Sequence, residues 1–222
     1  MLRTIFLIFV LLLISSCAAM VTHQTAINSL MDATPCCTSM AEFRYVPLSL
    51  DEPINFRLDK NSESFVFPTG KSYFKAFSLP NKKTPYRIRI KSFALGETID
   101  KAHIFYPQLA LLNSRFIVIK QSDPRDFTLM KAGMSETASV NWGLLMLKLD
   151  GSILDDISDA RYLVVYTTKE LMGKTSGHMA KQIQPIPVPI PRGIMTGALP
   201  EGEVPVNIPH SPFGWLSVMI EP

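Results

Sequence analysis

Between Tyr86 and Lys91 the chain alternates without a break: Tyr86, Ile88 and Ile90 are apolar, while Arg87, Arg89 and Lys91 are cationic. A period of two belongs to a strand with one buried and one solvated face. Around it, short apolar or alternating stretches recur at residues 43–48, 56–58, 65–67, 104–112, 116–120, 142–149, 162–166 and 215–220. Turn-forming residues stand between them: Asp59-Lys60-Asn61-Ser62, Pro80-Asn81, Asn113-Ser114-Arg115 and Asp150-Gly151. Helical periodicity is nearly absent. Thr167 with Glu170 has the form of a capping box and predicts one short helix there, stopped by Gly173 and Gly177. Residues 182–191 carry proline at every second position (Pro185, Pro187, Pro189, Pro191). Such a segment is extended but cannot be a central strand; it is expected along the domain surface. The pattern predicts an all-β fold, a single antiparallel β-sandwich of jelly-roll-like form, with the last strand completing a sheet opened early.

The N-terminus has a separate logic. Arg3 precedes an apolar run at residues 5–14, which fits the roughly 7–15 residues of a signal peptide. It falls short of the ~20 residues that a spanning helix needs. The run closes on Leu13-Ile14-Ser15-Ser16-Cys17, which resembles a bacterial lipobox. A lipid anchor on Cys17 (an acyl chain such as palmitate) is the favoured reading; a plain cleaved signal and an uncleaved anchor are its alternatives. The domains follow: 1–16 a lipoprotein signal peptide, 17–35 a small-residue tether, 36–222 the sandwich. Ile27, Leu30 and Met31 allow a short helix in the tether, where His23 reads as solvated.

Apolar residues make up 47% and charged residues 18% of the chain, so a packed core is affordable and disorder is not expected. A formal charge of +3 is too slight for a nucleic-acid partner. The basic stripe of Arg87, Arg89 and Lys91, with Lys82 and Lys83 nearby, has no intervening acid in sequence. It reads as a solvated outer face, or else as a contact for anionic envelope polymers or lipid headgroups. Beyond Cys17 the cysteines are the adjacent pair Cys36 and Cys37. They admit a vicinal disulfide, two free thiols or pairing with other chains.

The residues give no catalytic constellation. Four histidines, His23, His103, His178 and His210, are scattered, and none has a partner at metal-ligand spacing. Gly70-Lys71-Ser72 lacks the glycine and following helix of a phosphate loop and reads as a hairpin turn. Neither an enzyme nor a cofactor or metal is expected. Trp142, Trp215 and Tyr106 are candidates by type for stacking on a sugar, although each lies in or beside an apolar strand and so reads first as core.

Several stretches together carry a family resemblance: residues 162–174 (Tyr-Leu-Val-Val-Tyr-Thr-Thr-Lys-Glu-Leu-Met-Gly-Lys), the alternating prolines Pro185 to Pro191, and Pro212-Phe213-Gly214-Trp215-Leu216. Residues 104–112 and the Cys36-Cys37 start also fit. The chain resembles the maltose-operon periplasmic protein family (MalM) and its lipoprotein relatives. It departs in carrying the Cys17 motif and in ending just after the last strand. The resemblance implies an envelope protein accessory to maltose and maltodextrin transport, partnered by the membrane through its lipid and by a maltodextrin or other glycan. It implies no catalytic residue and supplies no binding residue. The alternative is a structural lipoprotein that docks on an envelope complex and binds no sugar. Ala18 behind Cys17 is similar to lipoproteins sent to the outer membrane, facing the periplasm.

Overall fold

The computed structural model describes residues 21–81, 85–96, 98, 101–131, 144–155, 159–190 and 193–221. Cys17, Lys82, Lys83, Trp142 and Pro191 lie outside them. Two five-stranded sheets face each other. The first has β1 (Tyr45–Pro47), β5 (Lys75–Ser78), β11 (Tyr162–Tyr166), β7 (Gln108–Leu112) and β8 (Val118–Gln121) in that spatial order. The second has β2 (Ile54–Leu58), β14 (Gly214–Glu221), β6 (Tyr86–Leu95), β10 (Leu144–Asp155) and β9 (Phe127–Lys131). The sandwich expected from the alternation is present, and β14 does pair with the early β2. It is not wholly antiparallel: β1 runs parallel to β5, because each belongs to a separate passage of the chain through the first sheet.

The two kinds of apolar pattern have one cause, the number of faces each sheet has covered. Ile88 and Ile90 of β6, with Leu216, Val218 and Ile220 of β14, point inward and meet Phe77, Leu109, Leu111, Leu163 and Val165 of the first sheet. The first sheet is also covered on its outer face. There Ala110, Leu112, Val164 and Tyr166 pack against Phe65 and Phe67 of β3 (Ser64–Phe67) and against Phe43. β3 turns into β4 (Gly70–Tyr73) across Pro68-Thr69, with Phe67 opposite Gly70, so the expected hairpin is there. Covered on both sides, β7 and β11 are continuously apolar; covered on one, β6 alternates.

Four expectations fail at the level of neighbours. Asp150-Gly151 is no turn, and β10 runs through it. Gly151 is glycine because a Cβ there would sit 2.7 Å from the Asp126 carbonyl oxygen and against the Phe127 ring. The basic stripe is not acid-free. Asp150 of β10 and Glu221 of β14 reach Arg89 from the neighbouring strands. The helix cap is Thr168, one residue later than expected: its Oγ accepts from Leu171 N–H, 3.0 Å, at the start of α2 (Lys169–Met172). The supposed tether contains α1 (His23–Asp32), capped by Thr22, whose Ala26 and Leu30 are buried in the main core. Those contacts, with hydrogen bonds between Ser29 and Tyr73 and between Lys71 and the Met31 carbonyl, dock the helix, and the folded body therefore begins before residue 36.

The proline segment lies in β12 (Thr175–Ile190), paired with β13 (Gly193–Pro209) as a two-stranded ribbon rather than lying alone. Prolines two apart remove N–H groups along one edge only. The other edge is left to pair, and the bare edge discourages further strands.

Candidate functional site

At one end of the first sheet the outer aromatic layer stops and a polar cleft of about 550 Å³ opens. It is lined by Thr69 of the β3–β4 turn, Gln108 of β7, Gln121 of β8, Ser122 to Pro124 after it, and Thr168, Glu170 and Leu171 at the head of α2. Gln108 interrupts an apolar strand, and it is fixed. Its Nε2 donates to the Ser122 carbonyl at 2.6 Å and to Ser122 Oγ at 3.2 Å. Ser122 Oγ in turn accepts from Leu109 N–H at 2.9 Å. That hydroxyl is taken up in holding the strand end and is not poised as a nucleophile.

Gln121 donates to the Tyr166 hydroxyl at 3.1 Å. Burial raises the Tyr166 pKa, and a hydrogen bond to Thr69 opposes the rise. The Tyr166 ring stacks on Phe67, centroids 4.0 Å apart, so the aromatic layer anchors this wall. On the opposite wall Asp123 caps a 3-10 turn (Pro124–Asp126). Arg125 grips the Asp123 carboxylate at 2.6 Å and holds its pKa down to about 2. Lys174 does the same for Glu170 from 2.6 Å, lowering that carboxyl as well. Both acids are ionised at neutral pH, and each has its own cation beside it. The cleft therefore presents amide, hydroxyl and carboxylate groups with little net charge. Such a lining suits hydrogen bonding to a neutral polyhydroxyl ligand and does not concentrate ions.

The predicted aromatics fall differently. Tyr106 is buried behind the cleft. Its hydroxyl donates to the Pro124 carbonyl at 2.6 Å, and its ring lies between His210 and Phe127. It supports the wall and offers no open face. Trp215 is half-buried on the outer face of the second sheet, opposite Phe93 and Arg57, and does not line the cleft. Its indole N–H is buried without a hydrogen-bond partner. Cys36 and Cys37 are bonded to each other just after α1, and the Cys36 N–H donates to the Ser64 carbonyl at 2.9 Å. Among the described residues no group of three or more His, Cys, Asp or Glu side chains is placed to hold a metal. Sequence reasoning missed Gln108, Gln121, Asp123 and Glu170. The available signal was an amide in an otherwise apolar strand and a second at the end of its hairpin partner.

A family model described as maltose operon periplasmic protein precursor (MalM) matches residues 69–218. The matched span starts at Thr69 and contains every residue that lines the cleft. No curated protein and no solved structure gives a match.

Proposed function

The chain belongs to the maltose operon periplasmic protein family, MalM, and we propose from that premise that it is a non-catalytic, glucan-binding accessory of maltodextrin uptake. The cleft between Gln108, Gln121, Asp123 and Glu170 takes the sugar. Cys17 carries the lipid that holds the protein to the outer membrane with its body in the periplasm, once residues 1–16 have been removed.

One observation carries the reading. Two glutamines and two carboxylates line one concave site, and they are immobilised or charge-balanced by neighbours before any ligand arrives. Preorganised, charge-neutral hydrogen-bonding walls lower the ordering cost of holding a flexible polyol. The volume lies within the range of about 300–1,000 Å³ usual for small-ligand sites. The site offers edge contacts through its polar groups instead of the exposed aromatic platform that Trp215 would have supplied. Retention on immobilised amylose tests the proposal: the native chain is retarded and Gln121→Ala is not. A native chain that passes unretarded favours the docking lipoprotein.

A further inference from the structure

Three histidines that lie far apart in sequence meet at the root of α1. The His103 Nε2 is 3.1 Å from the Val21 carbonyl oxygen, and the His23 Nε2 is 2.8 Å from that of His210. The His210 Nδ1 is 2.8 Å from the Leu171 carbonyl oxygen. Carbonyls only accept, so each of these nitrogens carries a hydrogen and donates. The remaining nitrogens are then fixed as acceptors in the neutral rings. The His210 Nε2 faces Ser176 Oγ at 2.8 Å, and the His103 Nδ1 is buried with no partner. Residues 21–23, the bridge strand at 103–104, the loop at 210 and the end of α2 are thus joined through imidazole-to-carbonyl links.

We propose that residues 21–33 are an acid-weakened latch: docking this strap shuts the His103 imidazole beneath Val21 with its Nδ1 buried and unpartnered, a seat that admits the neutral ring, so that taking up a proton there favours the undocked strap. A proton on the His103 Nδ1 would be a buried donor with nothing to receive it. A proton on the His210 Nε2 would oppose the Ser176 hydroxyl until that group turned. The charged groups facing the rings do not help. Lys174 acts on His210, and His23 acts on both His210 and His103, each as a like charge. The Tyr106 ring covers His210 from the other side, centroids 4.5 Å apart. Burial, the largest cause, holds the His103 pKa below its ordinary value and brings that of His210 to about 4.

The sign follows from linkage. His103, the ring that the strap covers, has its pKa lowered chiefly by burial, so it favours the docked state above about pH 6.5, and that advantage is lost as the pH falls toward its docked value. The His210 ring is packed by Leu171, Ser176 and Tyr106 of the body and contributes little to the docking balance. The strap's other holds are modest: Ala26 and Leu30 are buried, Val21 and Ala33 pack partly buried against the core, Ser29 is bonded to the Tyr73 hydroxyl and the Met31 carbonyl to Lys71. Release is a local opening and leaves the sheets intact. On the lipid-anchored reading of Cys17, an extended strap would lengthen the reach between anchor and body by up to about 30 Å. The latch does not depend on what the cleft binds.

Amide hydrogen exchange on the mature full chain tests it, corrected for the intrinsic effect of pH. Between about pH 7.5 and pH 5, protection across α1 should fall roughly severalfold, while protection in β11 holds. His103→Gln keeps a donor for the Val21 carbonyl but cannot titrate, and it should flatten much of that fall. An NMR titration of the native imidazoles reads the same event with no substitution: His103 should titrate below the ordinary range, in step with α1 exchange. The latch is overturned by α1 protection that ignores pH, by α1 and β11 losing protection together, or by an undiminished fall in His103→Gln.

Discussion

Tyr106 and Pro124 are joined by one hydrogen bond, from the tyrosine hydroxyl to the proline carbonyl oxygen at 2.6 Å. It ties a core aromatic to the wall that carries Asp123. Burial first, and then the nearby Asp123 and Asp126, raise the Tyr106 pKa, so the hydroxyl keeps its proton and remains a donor. Tyr106→Phe should lower stability by about 1 kcal/mol, the usual net worth of such a bond. It should also weaken glucan binding without abolishing it. Denaturant melts and a sugar titration of the same sample check both.

Asp150 accepts from Arg89 through both oxygens, at 2.8 and 2.7 Å, and lies 3.3 Å from Lys148. Lys148 and Asp150 have side chains only 6% exposed, whereas Arg89 is 38% exposed and its share is screened by solvent. Burial pushes the Asp150 pKa up, but Arg89 and then Lys148 outweigh it and leave the carboxyl lowered. Asp150→Ala should therefore cost about 3 kcal/mol, since it strips the carboxylate from a buried lysine. Adding Lys148→Met should recover part of that. A depressed carboxyl stabilises above its unfolded pKa of about 3.9 and loses that contribution as pH falls through its folded value. Acid melts should show native stability dropping below about pH 4 more steeply than in Asp150→Ala.

Gly214 opens β14 directly over Phe105, which is fully buried, and a Cβ there would run into the Cβ of Phe105. Gly214→Ala should destabilise by about 1–3 kcal/mol, the range for overpacking a tight core. A melt as stable as the native one would mean that the two backbones do not approach so closely.

On the proposed lipid anchor, Cys17 sets the protein's address. Cell fractionation should place the native protein with the outer membrane, and Cys17→Ser should remove it from that fraction. Metabolic labelling with a fatty-acid analogue should mark the first and not the second.

What could be read from the residues and what could not divide along physical lines. The alternation from Tyr86 to Lys91 was legible because one face of β6 is bare; the apolar runs of β7 and β11 were legible because both of their faces are covered. Local order also predicted the Asn113 turn, where Asn113 Oδ1 accepts from Arg115 and Ile117 N–H groups. Contacts between distant segments were not legible. Asp150-Gly151 is a turn pair by type, and only the Phe127 ring and the Asp126 carbonyl make the glycine a point of close approach. The cations of β6 acquire Asp150 and Glu221 from strands some 60 and 130 residues away. A short helix at α1 is legible from Ile27, Leu30 and Met31, but its docking is not, because its seat in the core is made by Ala26, which is too small to announce a buried face, and by Leu30. The cleft is illegible for the same reason: Thr69, Gln108, Gln121 and Glu170 become neighbours only when β3, β7, β8 and α2 are stacked at one sheet end. The stretches 104–112, 162–174, 185–191 and 212–216 that carried the family resemblance fall inside the matched residues 69–218, whereas Cys36-Cys37 does not, and the resemblance named no site.

The account turns on whether the cleft holds glucan. Isothermal titration of the mature chain with maltotriose and longer maltodextrins, in a detergent without a sugar headgroup, asks this directly. The account predicts saturable binding with a Kd of about 0.1 mM, lost on Gln108→Ala or Gln121→Ala while both variants melt as cooperatively as the native chain. No heat at millimolar sugar, or native affinity in both variants, would contradict it.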